Sequence, residues 1–138
     1  MKFKQYPLSA RFFRHLYSIP FIYSMIIPIV ILDVFLELFH RCAFPLYGLD
    51  YIRRSRYVVI DRHKLSYLRF VEKIHCMYCG YVNGLLAYAV AIAGETERYW
   101  CGIQHQKNKG VVQSPHSKKF LGYNDEKSFR NYVKKQAE

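Results

Sequence analysis

At 138 residues the chain has room for one small domain. Its 21 Lys and Arg against 10 Asp and Glu leave a formal net charge of +11, which points to a polyanionic partner, either nucleic acid or an anionic membrane leaflet. Four cysteines at irregular spacing exclude a secreted disulfide scaffold, and one apolar run is too long and uninterrupted for the core of a soluble domain this small.

Thirteen Tyr and ten Phe favour the membrane over nucleic acid, because these rings suit a boundary that is apolar on one side and wet on the other. Residues 1–15 form a basic and aromatic arm carrying Lys2, Lys4, Arg11 and Arg14 among Phe3, Tyr6, Phe12 and Phe13. Residues 16–41 form the apolar membrane segment, long enough as a helix to cross a hydrocarbon core of about 30 Å. Pro28 interrupts its centre, and Asp33 and Glu37 share one face of its second half with His40 close by. The basic residues flanking the segment are nearly balanced, four upstream against Arg41, Arg53, Arg54 and Arg56 downstream, so a single span and a re-entrant hairpin bent at Pro28 both satisfy the pattern. No small-residue cleavage site follows the run, so the segment is expected to be retained and the thiols cytoplasmic.

Residues 42–60, broken by Pro45 and Gly48, read as a basic connector. Asp61 is a candidate N-cap for a helix to about His75, with Arg62, Ser66, Arg69 and Lys73 on one face and Tyr67, Leu68, Val71 and Ile74 on the other. Asn83 is a candidate cap for a second helix to Trp100, weakened at Gly94. The two predicted helices make a cytoplasmic helical hairpin within residues 61–105. The fold class is therefore all-α: a membrane helix or Pro-bent helical hairpin, a small antiparallel hairpin, and a basic tail over 106–138 with a short amphipathic helix from Asp125 to Lys135. Arg53, Arg54, Arg56, Arg62, Arg69 and Lys73 form the expected lipid-facing basic set.

The chemistry-bearing residues concentrate between Asp61 and His105. Cys76-x-x-Cys79 with Cys101-x-x-x-His105 spells a Cys3His zinc site, since two thiolates three residues apart can converge on one ion. An intervening helix would hold the two pairs apart, so the alternative cluster joins Asp61 and His63 to Cys101 and His105 at the other end of the hairpin, leaving Cys76 and Cys79 to pair with Cys42, each other or a second chain. Without a metal the cysteines are small packing residues. Iron–sulfur ligation ranks behind zinc because the spacing matches no ferredoxin pattern. Glu37-x-x-His40 and Glu72-x-x-His75 match the ExxH element of di-iron bundles but lack the further carboxylates such bundles need. A nucleophilic pair of Cys101 with His63 or His105 has no third orienting group.

The blocks CAFPLYG, IDRHKLSYL and EKIHCMYCGYVNGLLAYAVAIAGETERYWCGIQH resemble a family of short uncharacterised bacterial membrane-associated proteins with an apolar N-terminal segment. The resemblance spans roughly residues 17–125 and is carried by Cys42, His63, Cys76, Cys79, Cys101 and His105. It implies membrane association and assigns no activity. The functional expectation is a membrane-anchored protein with a structural zinc site and a basic surface for anionic lipid, a protein partner or a second copy of itself. A membrane-bound metalloenzyme or redox protein using His63, Cys101 and His105 is the alternative. A nucleic-acid binder is a further one, for which no reading motif is present.

Overall fold

The computed structural model describes residues 8–108, 110 and 112–137. Among them the architecture is helical: α1 (Leu8–Ser24), α2 (Ile26–Leu46), α3 (Phe70–Trp100) and α4 (Glu126–Ala137), with short 3-10 turns at Arg54–Arg56, Arg62–Lys64 and Pro115–Lys119. Residues 1–7 of the basic arm lie outside the described residues. The chain forms two compact units, residues 1–39 and 40–138.

In the first unit the helical path is interrupted at Met25. Pro28 has no N–H to donate to the carbonyl of Ser24, so the ladder resumes only with Ile29, whose N–H reaches Met25 O at 3.2 Å. The Ser24 hydroxyl bonds back to Phe21 O at 2.9 Å, at the last turn of α1. From Phe13 to Leu46 the residues have mean hydropathy 2.3 over the most apolar window, and only 6% of that window is buried. Phe21, Ile27, Val34 and Phe35 each expose more than half of their surface.

The second unit is assembled around α3. The expected hairpin is replaced by one continuous helix of 31 residues, and no turn interrupts it at Cys76–Asn83. Two features explain this. Asn83 does not cap; its side-chain Nδ2 donates to Cys79 O at 2.8 Å, satisfying the amide inside the helix. Gly80, Gly84, Ala87, Ala91 and Gly94 recur at helical spacing and line one narrow face with small residues. The helix begins at Phe70 rather than after Asp61, because Glu72 reaches back to the Arg69 backbone N–H at 2.8 Å, whereas the Asp61 side chain makes no capping bond. Arg62 and Lys73 consequently sit on different elements, and the expected single basic helical face does not form.

The chain from Tyr57 to Val59 lies against the small face. A Cβ on Gly84 would meet the Tyr57 carbonyl oxygen at 2.6 Å and Val58 Cα at 2.9 Å, and one on Gly80 would meet Val59 O at 3.5 Å. The backbone approaches this closely only because no side chain intervenes. α2 continues past the expected boundary at 41 and ends in a Schellman motif: Gly48, at φ +64°, donates to Pro45 O and Leu49 donates to Phe44 O. His40, Phe44, Leu85, Tyr88 and Ile92 are almost completely buried, and Tyr47 stacks on Tyr99 with ring centroids 4.8 Å apart.

After α3 the turn Pro115–Lys119 packs back on that helix. Gln104 N–H donates to Leu121 O and Leu121 N–H to Gly102 O, both at 2.8 Å, a single parallel bridge that closes a loop over buried Ser117 and Phe120. Asp125 caps α4: its carboxylate accepts from the Ser128 hydroxyl at 2.7 Å and the Ser128 N–H at 3.1 Å. These two bonds, the hydroxyl first, hold its pKa below the ordinary 3.8. A carboxyl so depressed stabilises the helix fully above its unfolded value and loses that contribution as pH falls through the folded one. We therefore expect Asp125→Ala to fray the first turn of α4 at neutral pH, seen as faster amide exchange at Ser128. The unsubstituted protein should show the same change only below pH 3.8. Unchanged exchange in the variant would show that the cap contributes nothing.

Candidate functional site

Two polar constellations stand on α3. The first is internal. His40, with no exposed surface, accepts the Ile52 backbone N–H at Nε2 (3.2 Å) and lies 2.8 Å from the Tyr88 hydroxyl through Nδ1. A nitrogen that accepts an N–H carries no proton, so the imidazole is the Nδ1–H tautomer and donates to Tyr88 Oη. Its ring is stacked on Tyr51 (4.2 Å) and meets Phe44 edge-on (4.4 Å). This histidine joins α2, the 49–57 segment and α3. Its polar atoms are engaged within the fold, so its role is structural, and the Glu37-x-x-His40 reading as a metal element loses its histidine.

The second constellation opens to solvent. A cleft of about 720 Å³ is lined by residues 50–53, Arg56 and Tyr57 together with Ala91, Glu95, Arg98, His116 and Lys119. Arg98 is held by Glu95 at 2.6 Å. His116 lies against Gly94, where a Cβ would stand 2.7 Å from its Cγ, and its Nε2–H donates to Glu97 Oε2 at 2.9 Å. Gly94 is therefore a seat for an imidazole, not merely a weak point in the helix. His105 stands 3.8 Å from the other Glu97 oxygen, too far for a hydrogen bond, and is largely exposed.

The residues expected to bind metal are distributed along α3 and beyond it. Cys76 and Cys79 lie in its first third and Cys101 follows its last turn, about 33–37 Å further along a continuous helix at 1.5 Å per residue. A zinc ion reaches thiolates at roughly 2.3 Å, so this chain does not bring Cys76, Cys79, Cys101 and His105 to one ion by itself. Asp61 and His63 lie at the 3-10 turn Arg62–Lys64, which packs on α3, and the structure does not join them to Cys101 and His105. Among the described residues, no three His, Cys, Asp or Glu side chains are grouped as ligands for one ion. All four cysteines are free thiols.

Of the expected basic set, Arg53 and Arg56 line the cleft, Arg62 lines a shallower groove with Cys79, Gly80 and Asn83, and Arg69 and Lys73 open α3. The reading of residues missed Arg98, His116 and Lys119, which reach the cleft from the end of α3 and from the Pro115–Lys119 turn. One signal for the turn was present: Pro115 at its first position, where a missing N–H is harmless, followed by the basic His116-Ser117-Lys118-Lys119 run. Comparison with family models, curated proteins and solved structures finds no match to this chain.

Proposed function

We propose that the protein is a membrane-anchored, non-enzymatic module in which α1 and the part of α2 before His40 insert into the bilayer and the unit from His40 onward presents a basic surface to anionic partners. The observation that carries this reading is the exposure of the Phe13–Leu46 run, 34 residues of high hydropathy with almost none of their window buried. Large apolar side chains left uncovered on this scale require a nonaqueous surrounding. Residues 13–39, ahead of the buried His40 and Phe44, are about 40 Å long as helix, enough for one hydrocarbon core.

α3 also has the length and composition to cross a membrane. The reading keeps it outside the hydrocarbon. Arg53 and Arg56 flank it near Ala91 and Arg62 near Gly80, and each arginine drawn to mid-bilayer would cost about 2.5–3.5 kcal/mol. The same arginines, close to the end of α2, favour the cytoplasmic side for the second unit.

The test is extraction. The full chain is expected to stay in the membrane pellet through alkaline carbonate and high salt. Exposed Cys101 should react with an impermeant maleimide only after the cytoplasmic face is opened. Release by carbonate would overturn the insertion, and labelling from the opposite face would overturn the orientation.

A further inference from the structure

The cleft beside Ala91 differs from the rest of the basic surface in how its charges are partnered. Arg98 is neutralised by Glu95, but among the described residues no carboxylate pairs with Arg53, Arg56 or Lys119. These three cations come from two separate parts of the chain, the turn at Arg54–Arg56 and the last residue of the turn Pro115–Lys119, and the fold brings them to the rim of one concavity. Three like charges around one space create a positive potential that attracts an anion there. Asp50 offsets one, leaving about two positive charges, which matches a phosphomonoester near neutral pH.

Size narrows the ligand further. About 720 Å³ falls within the range of sites for single small molecules, and the rings of Tyr51 and Tyr57 offer an apolar wall for an organic remainder. A nucleic acid would instead call for cations spaced along a track of successive phosphates.

We infer that this cleft is a binding site for one phosphate ester, with Arg53, Arg56 and Lys119 holding the phosphate and Tyr51 and Tyr57 contacting the group it esterifies. The inference rests on the reading of a membrane-anchored basic module and deepens it from a diffuse charged surface to a discrete site. Guanidinium groups suit the phosphate because each can present two parallel N–H donors, and Lys119 adds a flexible point charge from a separate part of the chain.

The experiment uses the full chain in phosphatidylcholine nanodiscs, titrated with sn-glycerol 3-phosphate and, separately, with dioctanoyl phosphatidic acid. Saturable binding of one probe molecule per chain is expected. Charge-assisted hydrogen bonds of the usual strength predict that Arg53→Gln with Arg56→Gln, and independently Lys119→Gln, weaken it about tenfold or more. Arg69→Gln with Lys73→Gln, basic residues outside the cleft, should leave it unchanged. Lys119 is exposed, so its variant preserves the fold, which the helical circular dichroism of the same sample verifies. Equal affinity for both probes identifies a soluble ester as the source; binding of the diacyl probe alone identifies a lipid headgroup. The inference is overturned if neither probe saturates, if the Arg69 and Lys73 variant loses as much binding as the cleft variants, or if only an oligonucleotide binds. Carbonate extraction of the same variants reads the anchoring separately, so failure of the site and failure of the membrane reading are distinguished.

Discussion

Replacing His40 by alanine is expected to destabilise the second unit by about 3–5 kcal/mol, the range for removing a large buried side chain together with its hydrogen bonds. The imidazole fills a fully enclosed position between Phe44, Tyr51 and Tyr88, and the surrounding rings cannot collapse into the space without giving up their stacking. Its loss also removes the acceptor for the Ile52 N–H. Tyr88→Phe keeps the ring and deletes the hydroxyl that receives Nδ1–H, so about 1–3 kcal/mol is expected from that change alone. Because both variants break the same bond, the double variant should fall short of the sum of the two, which denaturant unfolding in detergent can measure. Additive losses would mean that His40 and Tyr88 act independently.

The second large effect concerns Gly84. Gly84→Val places a branched side chain where even a Cβ would stand 2.6 Å from a carbonyl oxygen, and both of the nearest atoms belong to backbone. The 57–59 segment must lift from the helix, and about 3 kcal/mol of destabilisation is expected, the upper end for forced overpacking. Gly80 provides the control. Its nearest backbone atom would be 3.5 Å from an added Cβ, an ordinary contact, and alanine is the better helix former by about 1 kcal/mol. Gly80→Ala should therefore leave the melting temperature unchanged or raise it. If the two substitutions behaved alike, the close approach at Gly84 would not be what fixes the 57–59 segment.

Much of the helical character was legible because it is local. Pro28 interrupts a ladder whatever surrounds it, and Asp125 three residues before Ser128 makes a cap from its own neighbours. The errors arose where meaning depends on distant chain. Gly80, Gly84 and Gly94 look like breakers when read singly. Only the partners they admit, the backbone at Tyr57 and the ring of His116, show that they are points of contact on an unbroken helix. His40 read as one histidine near two carboxylates, since nothing in its neighbours announces Tyr88, 48 residues away. The cleft was half visible for the same reason. Arg53 and Arg56 stand out as a cluster in the sequence, but Lys119 joins them only through the docking of the segment that follows α3. The obstacle to the Cys3His spacing, a helix between its two halves, was legible in the sequence; what was not legible is that this helix is a single one running unbroken from Phe70 to Trp100.

The Gly80-x-x-x-Gly84 spacing on an apolar helix is the pattern by which isolated transmembrane helices associate, two backbones meeting across paired glycines. In this chain that face is already occupied from within, by Tyr57 to Val59. A peptide covering only α3 would expose the glycines and self-associate through them, whereas in the intact protein the backbone of residues 57–59 lies against them. Dimerisation measured on the excised segment would thus report an interaction that the whole fold has internalised. Conversely, any cut or insertion that frees residues 57–59 would uncover a competent helix-pairing face on α3.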